Sequence, residues 1–199
     1  MEKMVLATKN AGKVDELKAL LRDHDVEVLS LLDLNYEPEI EETGTTFVEN
    51  ALIKARTIFE EYGLLTIADD SGLEIDALDG RPGVYSAIYA GEPKDDIANM
   101  DKVLAEMKDV PISERTARFR CTLVIVDKAG HEHVVHGKCE GMILEEKRGS
   151  NGHGYDPIFH VPAVDQTMAQ MTEAEKNTLS HRKKAFDQLE QLIEKLLKS

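Results

Sequence analysis

The chain has 199 residues, 42% of them hydrophobic, and a formal net charge of −14. That length supports a single domain over residues 1–199, built on one core or on two lobes. No apolar run approaches the ~20 residues of a membrane span, and so negative a chain repels a nucleic-acid backbone, leaving a small ligand as the expected partner.

Residues 3–7 read as a first strand, entered directly from Met1 with no signal-peptide pattern. Residues 10–22 read as a helix with Val14, Leu17, Leu20 and Leu21 on one face, and residues 26–29 as a short second strand. Residues 35–45 are polar and contain Pro38 and Gly44, which predicts a loop. A second helix spans 46–61, opened by a candidate capping box of Thr46 and Glu49 and striped by Phe47, Ala51, Leu52, Ala55, Ile58 and Phe59. The apolar run Leu64–Ile67 is a buried strand leading into Ala68-Asp69-Asp70-Ser71-Gly72-Leu73. Ser71 and Gly72 read as a turn, with a separate strand over 73–77.

Gly80–Gly83 is a further turn, and residues 95–108 form a helix with Ile97, Met100, Val103 and Leu104 apolar. Residues 116–127 and 131–144 are long β-rich runs joined by Lys128-Ala129-Gly130, a hairpin signal. Cys121 and Cys139 lie in these runs and read as buried thiols rather than a disulfide framework, which fits a reducing cytoplasm. Residues 149–157 form a loop holding three glycines, and residues 180–198 a last helix striped by Phe186, Leu189, Leu192, Ile193 and Leu196. Helices and strands mixed in this way predict an α/β fold with a mixed sheet and flanking helices.

Six places can carry chemistry. Thr8-Lys9-Asn10-Ala11-Gly12-Lys13 joins the first strand to the first helix. Amides at a helix start carry partial positive charge and bind phosphate, although Asn10 also reads as a plain cap. Asp69 and Asp70 suit a hard cation, and alternation along a strand would send them to opposite faces, with Asp70 the one facing the ligand. The acidic loop Glu41-Glu42-Thr43-Gly44 can share a cation with Asp70, since Mg²⁺ takes one or two carboxylates and completes its shell with phosphate oxygens and water. Asn50 and Lys54, four apart, share a helix face from which Lys54 can reach phosphate. In Gly149–Pro157, His153 or Tyr155 can stack on a base while Asp156 accepts from it. Lys176 precedes Ser180-His181-Arg182, where cations at a helix start oppose its dipole unless an anion or a carbonyl-bearing ligand arrives.

Taken together these segments resemble the inosine triphosphate pyrophosphatase family, the XTP/dITP diphosphatases. The matching pieces are Thr8–Lys13, Glu42-Thr43-Gly44, Phe47–Ala51 with Lys54-Ala55, Ala68–Leu73, Pro82–Ala87, Gly154–Pro157 with Phe159, and Ser180–Arg182, in the family's order along nearly the whole chain. The resemblance implies an elongated mixed sheet with two lobes around a central nucleotide cleft, and a homodimer. It implies hydrolysis of noncanonical purine triphosphates (ITP, dITP, XTP) to monophosphate and pyrophosphate with Mg²⁺. By motif position it makes Asp70 the proton acceptor and, with Glu41, a metal ligand, Glu42 being an adjacent alternative. It puts Thr8, Lys9, Asn10, Ala11, Gly12, Lys13, Lys54 and Ser71 on the phosphate side. His153, Gly154, Tyr155, Asp156, Lys176, His181 and Arg182 fall on the nucleotide and base side. The chain departs from the family at His153, usually Phe, and at Ile88, usually Arg. Selection for inosine and xanthine needs a donor aimed at the 6-keto oxygen, for which His181 or Arg182 is expected. The competing readings are a pyrophosphatase for a modified pyrimidine, a nucleotide sensor that does not hydrolyse, and an acidic interaction module.

Overall fold

A computed structural model describes residues 1–198. Seven strands form one mixed sheet: β1 (Glu2–Leu6), β2 (Val26–Ser30), β3 (Leu65–Ile75), β4 (Thr116–Val126), β5 (Glu132–Ile143), β6 (Phe159–Val161) and β7 (Gln166–Thr167). Their order across the sheet is β2-β1-β3-β4-β5-β6-β7. β1 pairs in parallel with β2 and β3, while β6 runs antiparallel to β5 and β7. Five helices accompany them: α1 (Ala11–Leu20), α2 (Phe47–Tyr62), α3 (Asp96–Glu106), α4 (Glu173–Asn177) and α5 (His181–Leu197). Among the described residues no helix is long and apolar enough to cross a membrane.

The chain divides into two compact units, one of residues 1–70, 121–136 and 184 onward, the other of residues 71–120 and 137–183. In the first, the strands are buried on both faces. Met4, Leu6, Leu65, Ile67, Cys121, Leu123 and Ile125 pack with Val14 and Leu17 of α1 and Phe186, Leu189 and Ile193 of α5. The alternate residues Val5, Ala7, Ala68, Val124 and Val126 pack with Ala51, Ala55 and Ile58 of α2. Burial on both faces is why these strands read as continuous apolar runs.

The second unit covers one strand face only. Leu73, Ile75, Phe119, Cys139 and Ile143 meet Met100, Val103 and Met107 from α3 and its end. Alternate residues on the same strands are charged and pair with one another: Arg118 donates to Asp76 at 2.9 Å and to Glu140 at 3.0 Å, and Arg120 pairs with Glu74. Buried Arg115 ties the end of α3 to the end of β5, donating to the carbonyls of Met107 at 2.6 Å and Ile143 at 2.7 Å.

Most expected elements form within a residue or two of their predicted bounds, and both cysteines are buried with no disulfide among the described residues. The main correction is at the Asp pair. Residues 71 and 72 are no turn: β3 runs unbroken from Leu65 to Ile75, so the two predicted strands are one. Turn-forming residues lose here to the ladder with the neighbouring strand β4, since β1 reaches only residues 65–67 of β3. The capping box is half formed. Thr46 Oγ1 accepts from the Glu49 amide at 3.1 Å, but the Glu49 carboxylate accepts from Thr45 rather than Thr46.

Candidate active site

The first unit's cluster grows from β3 and the two helices on either side of it. Because β3 continues through them, Asp69 and Asp70 project to opposite faces. Asp69 is buried and accepts from Lys13 Nζ of α1 at 2.6 Å. Asp70 faces α2, where the Asn50 side chain hydrogen-bonds to it. Its other oxygen, Oδ2, is buried with no hydrogen-bond partner among the described residues.

Asn50 is itself buried, and its Oδ1 accepts from the Gly44 amide at 2.7 Å. A side chain at Gly44 would put a Cβ 2.6 Å from Glu49 Cβ and 2.7 Å from Asn50 Oδ1. Only glycine lets the acidic loop come this close to α2. The loop so held presents Glu42, whose Oε1 lies 2.8 Å from Lys54 Nζ. Lys54 also donates to the Asp69 carbonyl oxygen. Glu41, the expected metal ligand, is exposed and has no hydrogen bond or ion pair among the described residues. Glu42 is therefore the loop carboxylate that the structure brings to Asp70.

The charges in this cluster act on one another. Burial pushes Asp70 up to about 7, with Glu42 and Asp69 adding to the rise while Lys54 and the Asn50 hydrogen bond oppose it. Burial also pulls Lys54 down, but Asp69, Glu42 and Asp70 outweigh it and leave the amine above its ordinary value. A buried carboxylate oxygen without a donor, beside a second carboxylate, is a donor set that fits a hard divalent cation. No three His, Cys, Asp or Glu side chains form a ready cage among the described residues. A Mg²⁺ site that phosphate oxygens and water complete does not need one.

At the start of α1, Thr8 Oγ1 accepts from the Asn10 amide at 3.1 Å and Asn10 Oδ1 accepts from the Lys13 amide at 3.2 Å. Asn10 thus caps the helix as expected. The amides of Ala11 and Gly12, in an exposed first turn, lack intrahelical acceptors and suit an anion. Lys9 instead leans toward the acidic loop, 3.4 Å from the Glu37 carbonyl oxygen and 3.8 Å from Glu39.

The second unit gathers the remaining expected residues. Asp156 is 4% exposed, and its Oδ2 accepts from Lys176 Nζ at 2.6 Å and from the His153 amide at 3.1 Å. At Gly152, φ is +75° and a Cβ would lie 2.1 Å from that same oxygen, so the loop folds around Asp156 only with glycine there. Asp96 at the start of α3 accepts from the Gly154 amide at 3.0 Å. The His153 ring lies at the exposed tip. Crowding by protein lowers its pKa; Asp156 works against this, and Lys176, Arg182 and Lys94 add to it. Tyr155, one of the two alternative rings for stacking, is 6% exposed, and its hydroxyl donates to the Ser86 carbonyl oxygen at 2.6 Å. At the start of α5, Ser180 Oγ accepts from the Arg182 amide at 3.2 Å. The His181 ring stacks on Phe119, centroids 5.1 Å apart. Ser71 belongs to this unit, and its Oγ is buried without a hydrogen-bond partner.

Sequence reasoning placed Asn50 on the helix face of Lys54 but missed it as a link between Gly44 and Asp70. It also missed Asp96 and Phe119, and it named Ser86 only within the family-like segment Pro82–Ala87, without a contact. The pairing of Gly44 with a helix carrying an amide side chain about one turn from its cap was the one available signal for Asn50.

A family model described as the Ham1 family matches residues 4–192. A dITP/XTP pyrophosphatase of Bacillus licheniformis is 54% identical over 194 residues, covering 98% of this chain and 99% of that protein. Another, of Bacillus subtilis, is 50% identical over 194 residues and covers 98% of each. Among solved structures, a HAM1 protein from Coxiella burnetii matches with a TM-score of 0.93 at 42% identity, covering 98% of this chain and all of that one (100%). The Staphylococcus aureus Ham1 protein matches with a TM-score of 0.92 at 40% identity, covering 97% and 98%.

Proposed function

The chain belongs to the Ham1 family, and from that membership we infer that it is a nucleoside triphosphate pyrophosphatase. It hydrolyses ITP, dITP and XTP to the nucleoside monophosphate and pyrophosphate, which removes noncanonical purines from the nucleotide pool. The relatives named dITP/XTP pyrophosphatase, aligned over almost the full chain, support the substrate class. The observation that carries the chemistry is the half-buried Asp70 carboxylate, whose buried Oδ2 lacks a donor among the described residues and which is pushed up to about 7.

In this reading the first unit handles the polyphosphate. The α1 amides and the charges of Lys13 and Lys54 hold phosphate oxygens in place and offset the charge that builds on the leaving pyrophosphate. Asp70 orients a water toward the α-phosphorus and takes its proton. A carboxylate with a raised pKa is the better base for that step at neutral pH. Asp70 and Glu42 are the residues that would hold Mg²⁺, which when bound supplies charge neutralisation at the phosphate oxygens. Asn50 keeps Asp70 in its rotamer and Gly44 keeps Glu42 beside it.

The second unit handles the base. His153 offers a ring for stacking, and His181 or Arg182 donates to the 6-keto oxygen that inosine and xanthine share. Adenine presents an amino group there and leaves that donor unpaired. Residues 1–199 act as one functional domain, and the working form is a cytoplasmic homodimer. Hydrolysis of ITP in ¹⁸O-water tests the reaction type. Label in the monophosphate with unlabelled pyrophosphate fits attack at the α-phosphorus; labelled inorganic phosphate with a diphosphate product contradicts it.

A further inference from the structure

One motif has no role in the reaction just described: Pro82-Gly83-Val84-Tyr85-Ser86-Ala87. Ser86 is 8% exposed and sits at a junction of three segments. Its Oγ accepts from the Leu73 amide of β3 at 2.9 Å and donates to the Gly83 carbonyl oxygen at 2.6 Å. Its own carbonyl oxygen accepts from the Tyr155 hydroxyl at 2.6 Å, a bond to a residue 69 positions away. The segment is held from its other side by buried Asn99 of α3, which donates to the Ala87 carbonyl oxygen at 2.9 Å and accepts from the Ala90 amide at 2.7 Å.

The glycine-rich loop needs such an anchor. Gly149, Gly152 and Gly154 all have positive φ, so the loop backbone is intrinsically permissive and its conformation must be fixed by contacts. Two contacts act on the backbone of His153 and Gly154, from Asp156 and Asp96. The Tyr155 hydroxyl is a long-range side-chain bond from the loop into the core.

We propose that Tyr155 and Ser86 form a positioning pair, in which Tyr155 contributes no stacking surface and instead locks the base-side loop onto the 83–88 segment and, through Ser86 Oγ, onto β3. The pair sets how well the base is recognised and leaves the phosphate chemistry alone. This rests on the base-side reading of residues 153–156 given above.

Tyr155→Phe keeps the ring and removes only the hydroxyl. With ITP, KM rises roughly five- to tenfold, in line with the loss of one hydrogen bond, while kcat stays within about twofold, and the preference for ITP over ATP in kcat/KM falls by the same factor as KM rises. In the ligand-free protein, hydrogen exchange of the amides at 151–154 speeds up in the variant, a readout that needs no activity. Ser86→Ala moves both readouts in the same direction, and the double variant is no worse than the poorer single one, as for residues acting as a unit. An unchanged KM, or an equal fall for ITP and ATP together with unchanged loop exchange, overturns the proposal. A wild-type protein that hydrolyses neither nucleotide sinks the functional reading instead, and the exchange measurement still decides this one. Should Ser86→Ala fail to fold, Tyr155→Phe alone carries the test.

Discussion

Asp69 and Asp70 are neighbours on one strand, yet they meet different partners on opposite faces. Asp69 is bound to Lys13 at 2.6 Å, while Asp70 has an oxygen buried without a donor. The first pairing is charge-balanced. The second leaves a carboxylate in a state that only a ligand or a proton relieves. Asp70→Asn removes that strain with the group that does the chemistry. Turnover of ITP falls at least ~1,000-fold, the scale of a lost general base, while the melting temperature of the ligand-free variant at pH 8 is higher than that of the parent. Near-normal turnover would contradict the role, and a lower melting temperature would contradict the burial argument.

The same carboxylate makes stability depend on pH. Asp70 takes its proton at about 7 in the folded protein, against an ordinary value of 3.8. Between those values the folded state holds the extra proton. Its contribution is complete below about 3.8 and is lost as pH rises through about 7. Denaturant titrations in EDTA read this as a loss on the order of a few kcal/mol over that interval. In Asp70→Asn this part of the slope is absent.

Glu42 and Glu41 separate by a single pair of variants. Glu42→Gln removes the carboxylate beside Lys54 and Asp70 and raises the Mg²⁺ concentration needed for half-maximal activity on the order of 10–100-fold. Glu41→Gln, at an exposed position without contacts, leaves it unchanged. The reverse ranking would restore Glu41 as the ligand. Lys54 also titrates lower in Glu42→Gln, because one of the charges that holds it up is gone.

Gly44 supports this arrangement sterically. Gly44→Ala places a Cβ 2.6 Å from Glu49 Cβ, so the loop must move off α2. The buried Asn50 oxygen then loses its donor, at a cost of about 1–3 kcal/mol. Urea titration measures the loss, and the Mg²⁺ requirement rises with it because Glu42 moves with the loop.

The fold was largely legible in the sequence because most elements announce themselves by periodicity. The α2 and α5 stripes are helical, and β4 and β5 flank a turn of Lys128-Ala129-Gly130. The break predicted at Ser71-Gly72 failed because local turn chemistry cannot register neighbouring strands that hold β3 extended. β6 and β7, three and two residues long, are too short to carry a period. The site was legible by residue type and less so by geometry. Asp70, Lys54 and Lys176 fall in charged clusters as expected. The choices between Tyr155 and His153 and between Glu41 and Glu42 were not legible, since composition cannot tell a buried ring from a stacking one, or which of two adjacent carboxylates faces inward.

Arg182 tests the base side separately. Arg182→Ala lowers kcat/KM for ITP by roughly 10–100-fold, as for a lost charged hydrogen bond, and changes that for ATP much less. Equal losses for both nucleotides would place Arg182 elsewhere than at the base.

Pyrophosphate release from ITP, XTP, GTP, dUTP and ATP, measured side by side with Mg²⁺ on the parent and on Asp70→Asn, tests the enzyme reading most directly. The expected result is rapid release from ITP and XTP, slow release from ATP and dUTP, and near-complete loss in the variant. Release led by dUTP or ATP, or activity that survives without the Asp70 carboxylate, would contradict it.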